Sequence, residues 1–219
     1  MNEQKICFII CSSNQLYTNE CLHYISHLNI PEGYQIDVLT VEDAKSMTAG
    51  YNEGMQASDA KYKVYLHQDT FIVNPDFIED VVNIFQQDRK IGMIGMIGSP
   101  KLPESGIMWE GERCGAIYVP AYNKEPLFRA GDSDLTEVEA IDGLLMITQY
   151  DIPWREDLFD KWDFYDCSQS QEFIRRGYKV VVPRLDEPWC LHDSTVSYLG
   201  EYDGERWKFL QEYFAGRMR

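Results

Sequence analysis

Along the chain, short apolar runs bounded by polar turns alternate with segments whose apolar residues recur every three or four positions. The first run, residues 5–11 (Lys-Ile-Cys-Phe-Ile-Ile-Cys), ends at Ser12-Ser13-Asn14, as expected of a strand buried on both faces. Residues 17–28 then place Cys21, Leu22, Ile25 and Leu28 on one helical stripe. Pro31-Glu-Gly33 turns the chain into a second strand at 34–41, followed by a helix at 46–57 and a third strand at 62–66. Asn74-Pro75 reads as a helix start, with Asn74 as the cap and Pro75 in the first helical position. Phe77, Ile78, Val81, Ile84 and Phe85 give that helix its apolar face, and residues 91–97 predict a fourth strand. Such strict alternation predicts an α/β domain with a mostly parallel sheet and helices on both faces.

Beyond residue 98 the rhythm breaks. Residues 99–136 are rich in Gly, Pro and charge, with one strand expected at 114–119. Further strands are expected at 138–148 and 178–182, and helices at 168–176 and 202–214. No internal repeat or low-complexity segment interrupts this order. With 219 residues the length fits one domain, read here as an α/β half at 1–98 and a more irregular, partly antiparallel half at 99–219. A chain of this size buries about 70% of its unfolded surface, so folding requires neither disulfide nor metal.

Charge narrows the function. Twenty Lys and Arg stand against 36 Asp and Glu, a formal net charge of −16. That balance opposes general nucleic-acid binding and docking on anionic membranes. An anionic ligand would need a local exception, such as a bound cation. No apolar run approaches the roughly 20 residues of a membrane helix, and the first run is too short for a leader. The six cysteines form no Cys-x-x-Cys pair and several lie in apolar runs, so they read as reduced core thiols of a cytoplasmic protein.

In open α/β sheets ligands bind beyond the carboxyl ends of the strands. Three such ends here are polar: Ser12-Ser13-Asn14, Glu42-Asp43 and His67-Gln68-Asp69. In an extended segment Tyr65, His67 and Asp69 share one side, and an imidazole with a carboxylate can hold a divalent cation. Polar residues also commonly end strands for no chemical reason, and the tripeptide alone does not choose between the two.

The order of several short motifs does choose. Ile6-Cys-Phe-Ile-Ile-Cys-Ser-Ser-Asn14 resembles the opening strand and loop of family 2 glycosyltransferases, and Ala49-Gly-Tyr-Asn52-Glu-Gly54 resembles their Ala-Arg-Asn-x-Gly helix. Val64-Tyr-Leu-His-Gln-Asp69 stands in the place of their Asp-x-Asp metal motif. Ala140-Ile-Asp142-Gly143 resembles the acceptor-side strand. Phe164-Tyr-Asp166 with Arg175-Arg-Gly-Tyr178 resembles the Glu-Asp motif and its following helix, and Trp189-Cys-Leu-His192-Asp-Ser194 a late His-containing segment. Within this family the sequence is most similar to the subgroup named after a streptomycin-biosynthesis protein, in which His-Gln-Asp replaces Asp-x-Asp.

The resemblance implies a GT-A fold, a Rossmann-like nucleotide-sugar-binding sheet followed by an acceptor-binding half. It implies a metal-dependent, inverting transfer from a nucleotide diphosphate sugar, UDP-linked, to a saccharide, lipid-linked or small-molecule acceptor. Asp69 and His192, with His67 beside them, would hold Mn²⁺ or Mg²⁺, and the imidazoles lean towards Mn²⁺. Asp166 falls on the family's general base. Ser12, Ser13, Asn14, Gln68 and Asn52 fall on the donor side. The stretch that usually carries a uracil-binding aspartate is missing, and Glu42 or Asp43 stands nearest to it. Asp142, Gly143 and Trp109 fall on the acceptor side, with Trp154, Trp162 and Tyr165 as further aromatic candidates for a sugar ring.

Each residue also has a plainer reading. Asp166 suits a helix cap, His192 a partly buried histidine, Asn52 a cap of its own turn, and the aromatics a core. Asp203-Gly-Glu-Arg206-Trp207 has the spacing of the Gln-x-x-Arg-Trp motif of processive polysaccharide synthases, with Asp for Gln, and reads as coincidence. Two other functions stand beside glycosyl transfer. A sugar nucleotidyltransferase would need a Gly-rich basic loop where Ser12-Ser13-Asn14-Gln15 stands. A carbohydrate- or nucleotide-binding protein without turnover would keep the fold, and His67 in the metal motif favours it.

Overall fold

The computed structural model describes residues 1–120, 133–193 and 200–215; Ser194 and residues 121–132 lie outside the described residues. The first half follows the alternation: β1 (Asn2–Ser12), α1 (Gln15–Ile25), β2 (Gln35–Glu42), α2 (Met47–Ala57), β3 (Ala60–His67), β4 (Thr70–Ile72), α3 (Phe77–Gln87) and β5 (Ile91–Gly95). The second half adds β6 (Ile97–Ser99), a 3₁₀ turn (Met108–Glu110), β7 (Cys114–Gly115), β8 (Leu135–Glu137), β9 (Ala140–Ile141) and β10 (Leu145–Thr148). It ends with α4 (Tyr165–Arg175), β11 (Lys179–Pro183), β12 (Cys190–His192) and α5 (Tyr202–Tyr213).

Seven strands form the central sheet in the order β2-β1-β3-β10-β5-β11-β8. β1 runs parallel to β2 and β3, and β11 parallel to β5, whereas β10 and β8 run antiparallel to their neighbours. The sheet is therefore mixed and mostly parallel, as expected. Its strands alternate between two cores. Ile6, Phe8 and Ile10 of β1 face the side covered by α1 and α3, through Cys21, Ile25, Phe77, Ile78 and Val81. Cys7 and Ile9 face the side of α2 and α4, through Tyr51, Met55, Tyr165 and Phe173. The same alternation along β3 sends Val64 and Leu66 to the first core and Tyr65 to the second. His67 follows in Tyr65's phase.

Three expectations are corrected. Residues 91–97 are not one strand: β5 ends at Gly95 and β6 leaves for a small sheet in the order β7-β6-β9. Residues 138–148 break into β9, a turn at Asp142-Gly143 and β10, because the chain changes sheet there. Asn74 does not cap α3. Its side chain accepts from Asp76 N at 3.0 Å in the turn before the helix, which begins at Phe77. All six cysteines are free thiols, and among the described residues no helix is long and apolar enough to cross a membrane.

Asn52 does not cap its own turn. From the buried face of α2 its Nδ2 donates to Trp154 O at 3.0 Å, and its Oδ1 accepts from Trp154 N at 2.8 Å. The bond pair fastens the loop before α4 to α2. Asn52→Ala strands both peptide groups in a buried site, at a cost of about 2–4 kcal/mol. A urea midpoint unchanged from the parent protein would show that this clamp contributes nothing.

Candidate active site

Carboxyl ends of the first three strands lie side by side, with Ser12 in register with Glu42 and Cys11 with His67. Glu42 is exposed there, and Asp43 after it adopts a left-handed backbone (φ 54°). Gln68 ties two of these ends together. Its Oε1 accepts from the backbone N–H groups of Ser13 and Asn14, both at 2.8 Å, and its Nε2 donates to Ser13 Oγ at 2.9 Å. Asn14 caps α1 by accepting from Leu16 N, and Ser12 shares a 2.7 Å hydrogen bond with Thr18. These polar residues thus build a fixed rim above the sheet.

His67 stands at the end of β3, and the turn through Gln68 and Asp69 leads into β4. β12 pairs antiparallel with β4, placing His192 opposite Thr70, and Asp193 N donates to Asp69 O. A residue 125 positions away thereby returns to the central strand. His192 Nε2 lies 3.4 Å from Asp69 Oδ1 and 3.5 Å from His67 Nδ1, and the third edge of the triangle, His67 to Asp69, is 4.0 Å. Ligand atoms about 2.1 Å from one ion sit roughly 3–3.5 Å apart in tetrahedral or octahedral sites. Two imidazole nitrogens and one carboxylate oxygen, already close to that spacing, fit a divalent cation of intermediate hardness.

Electrostatics agree with that fit. Burial pulls His67 below the usual imidazole value, and the neighbouring His192 lowers it further, so its ring is neutral and has a lone pair to offer. Burial, the largest single influence, works against the Asp69 carboxylate, yet the His192 hydrogen bond and the attraction of both imidazoles together outweigh it and hold Asp69 below its usual range. For His192 burial opposes the charged form, but Asp69 overrides it and raises the imidazole.

Asp166 lies in the first turn of α4, next to Tyr165, whose hydroxyl meets His67. It does not cap that helix: Phe164 occupies the cap position, in a left-handed backbone (φ 59°) that a bulky residue adopts only at a cost. Packing of the Phe164 ring against Tyr202 and Phe209 of α5 holds it there. Asp166 Oδ2 accepts from Gly143 N at 2.9 Å and Oδ1 from Cys167 N at 2.7 Å. Burial, reinforced by Asp142, overcomes these bonds and pushes the carboxyl up to about 7. That places a proton acceptor within the working range of a general base.

Asp142 and Gly143 form the turn between β9 and β10 and connect both groups. Leu144 O in that turn accepts from His67 N at 3.0 Å, and Asp142 Oδ1 accepts from Leu144 N at 2.9 Å. Trp109 stands apart, 43% exposed on the 3₁₀ turn with the Arg113 guanidinium over its ring. Trp162 is also exposed, whereas Trp154 is buried against Tyr51 and Tyr65. Arg206 of α5 donates to Ser105 O and so serves to hold the preceding loop. A separate groove of about 550 Å³, lined by Val73, Asn74, Tyr118, Arg184 and Trp189 among others, opens at the opposite end of the β4–β12 ribbon. Sequence reasoning missed the contact of His67 with Tyr165, although the phase shared by Tyr65 and His67 points to the face on which Tyr165 lies.

No curated protein matches the chain. Among solved structures, S. aureus TarS 1-349 in complex with UDP superposes with a TM-score of 0.58 at 13% identity, over 94% of this chain and 65% of that one. The mannosyltransferase PcManGT from Pyrobaculum calidifontis in complex with GDP-Man and Mn²⁺ gives 0.62 at 12% identity, over 100% of this chain and 65% of that one. A longer S. aureus TarS structure gives 0.60 at 11%, over 92% and 38%. The chain thus spans under two thirds of each of these proteins, and the likeness establishes the GT-A fold. A family model described as glycosyltransferase-like matches residues 7–213. By that match, over nearly its full length, the chain belongs to the glycosyltransferase-like family.

Proposed function

We propose that this protein transfers a sugar from a nucleotide diphosphate sugar, UDP-linked, to an acceptor hydroxyl with inversion, and that the reaction needs a divalent cation. The observation that carries this reading is the pairing of two features at one end of the sheet. The turn at Gly143-Leu144 links the cation-competent triangle of His67, Asp69 and His192 to a carboxyl, Asp166, raised to about 7: Leu144 O accepts from His67 N, and Gly143 N donates to Asp166. His-Gln-Asp in the metal position supports the streptomycin-biosynthesis-type subgroup.

The work divides between the halves. Residues 1–98 hold the donor: Ser12, Ser13, Asn14, Glu42 and Gln68 form its rim, and Asn52 fixes the loop beneath. Residues 99–219 hold the acceptor, with Asp142, Gly143 and Trp109 on that side. His67, Asp69 and His192 would hold Mn²⁺ or Mg²⁺, which when bound would supply Lewis-acid stabilisation to the leaving diphosphate. Asp69 adds the negative charge that favours a cation over a bare phosphate. Asp166 accepts the acceptor's proton as the hydroxyl attacks the face opposite the diphosphate.

Calorimetric titration with UDP tests the donor site: binding is expected with Mn²⁺ and lost when EDTA removes it. Release of UDP from a panel of UDP-sugars then separates transfer from binding alone. Affinity without release from any sugar would establish the alternative, a nucleotide- or carbohydrate-binding protein on the same fold. Binding indifferent to the metal would remove the cation from the reading.

A further inference from the structure

Behind the triangle, the other ring nitrogen of His67 is engaged. Its Nε2 shares a short hydrogen bond with the Tyr165 hydroxyl, leaving Nδ1 directed at His192 and Asp69. Tyr165 is buried, its ring packed against Tyr51 and Trp154 with centroids 5.9 and 6.2 Å away, so the hydroxyl has little freedom to wander. A neutral imidazole offers a lone pair from Nδ1 only when its proton sits on Nε2, and the Tyr165 oxygen is placed to accept a hydrogen bond from that N–H.

A second observation comes from the acceptor-side turn. A Cβ at Gly143 would fall directly on the Tyr165 hydroxyl and the adjoining ring carbons, far inside van der Waals contact. The tyrosine therefore reaches His67 through the space that this glycine leaves. Gly143 N meanwhile holds the carboxylate of Asp166, the next residue after Tyr165.

We infer that Tyr165 is a positioning residue that orients His67 for cation binding, and that Gly143 is the residue whose lack of a side chain permits it. The inference rests on the reading of His67, Asp69 and His192 as a cation site and goes beyond it. It also changes the part of Tyr165, from a platform for a sugar ring to a support for a ligand. One turn thus sets the cation-binding imidazole and the base together, so a shift of Gly143 disturbs both.

Tyr165→Phe provides the test, because it removes one oxygen and leaves the ring in its aromatic setting. Mn²⁺ affinity, read from the loss of the free-ion electron paramagnetic resonance signal, is expected to fall about 10–100-fold, the usual loss when a ligand's hydrogen-bond partner is removed. In the metal-free protein, ¹⁵N spectra of His67 should show the Nε2-protonated tautomer in the parent and a mixture of tautomers in the variant. Gly143→Ala, by displacing the hydroxyl, should weaken Mn²⁺ to a similar degree. If the parent binds no Mn²⁺, the cation site itself is wrong. If the parent binds and Tyr165→Phe binds equally with an unchanged His67 tautomer, the positioning inference is overturned while the cation site stands.

Discussion

On the proposed function, Asp166→Asn is expected to lower the turnover of sugar transfer by about 10²–10⁴-fold, the range typical of a positioned general base, and to leave Mn²⁺-dependent UDP binding in place. The amide keeps the volume and one hydrogen-bond acceptor, enough for Gly143 N but not also for Cys167 N, so the α4 turn persists with one bond fewer while the proton acceptor is gone. The parent's pH profile carries the same signature. Its base is ionised only above about pH 7, so kcat/KM should fall about tenfold for each unit below that value and level off above it. Linkage gives an opposite sign for stability. A carboxyl raised by folding binds its proton more tightly in the native state, so native stability falls as pH rises from about 4 to about 7. Asp166→Asn removes that loss and should be the more stable protein above neutrality. With one edge of Asp166 open to water, the gain is about 1–2 kcal/mol rather than the full value of its shift. A variant that transfers sugar at the parental rate would end the assignment of the base. One that is inactive but also loses UDP would make Asp166 a structural residue.

The parts of this molecule legible from sequence are those set by local periodicity. β1 and β3 carry apolar runs that read as buried strands, β2 alternates apolar and polar residues as suits its half-buried place at the sheet edge, and α3 has five predicted apolar positions that are all buried. Residues 91–97 read as one strand because they hold only Ile, Met and Gly, and 138–148 because Val, Ala, Ile, Leu and Met dominate them. What breaks them is tertiary: at Met96 the chain passes from the central sheet to the small one and at Gly143 it returns, and apolar composition carries no sign of such a crossing. The insertion of antiparallel β10 between β3 and β5 is equally silent, since pairing partners are not encoded in either strand's own pattern.

The candidate site was legible in its residues and not in its wiring. His67 and Asp69 are neighbours in sequence, and the family resemblance suggested His192; the β4–β12 pairing that joins them appears only in the fold. Gln68 and Asn14 read as ligand-binding side chains, yet each has a hydrogen-bonding task within the protein. Gly143 matched an acceptor motif, but its clearance for Tyr165 depends on a helix more than 20 positions later. Side-chain identity survives in the sequence, whereas a gap left by a missing side chain needs the neighbour that fills it.

Asp69→Ala is expected to abolish Mn²⁺-dependent UDP binding, with Mn²⁺ affinity down by more than about 100-fold. Loss of a hydrogen-bond partner to a ligand already costs about 10–100-fold, and Asp69 is itself a ligand of the triangle and its source of negative charge. Without it, two neutral or positive imidazoles are left to hold a dication, and like charges repel whenever His192 is protonated. Asp69→Asn, which keeps an oxygen donor but no charge, should fall between the parent and the alanine variant. The same substitution has a stability cost with its own pH window. Asp69 is held low and His192 raised, so their mutual attraction stabilises the fold above the unfolded carboxyl's value, about 4, and below the unfolded imidazole's, about 6.5. It fades as pH falls through the Asp69 value or rises through that of His192. Thermal melts of Asp69→Ala and the parent should therefore differ most near pH 5 and converge towards pH 9. A molecule with net charge −16 has no other assembled cation site among its described residues to attract a diphosphate. Undiminished UDP binding by Asp69→Ala in EDTA would mean that the diphosphate is held by backbone N–H groups alone, and the metal would have no part in the reaction.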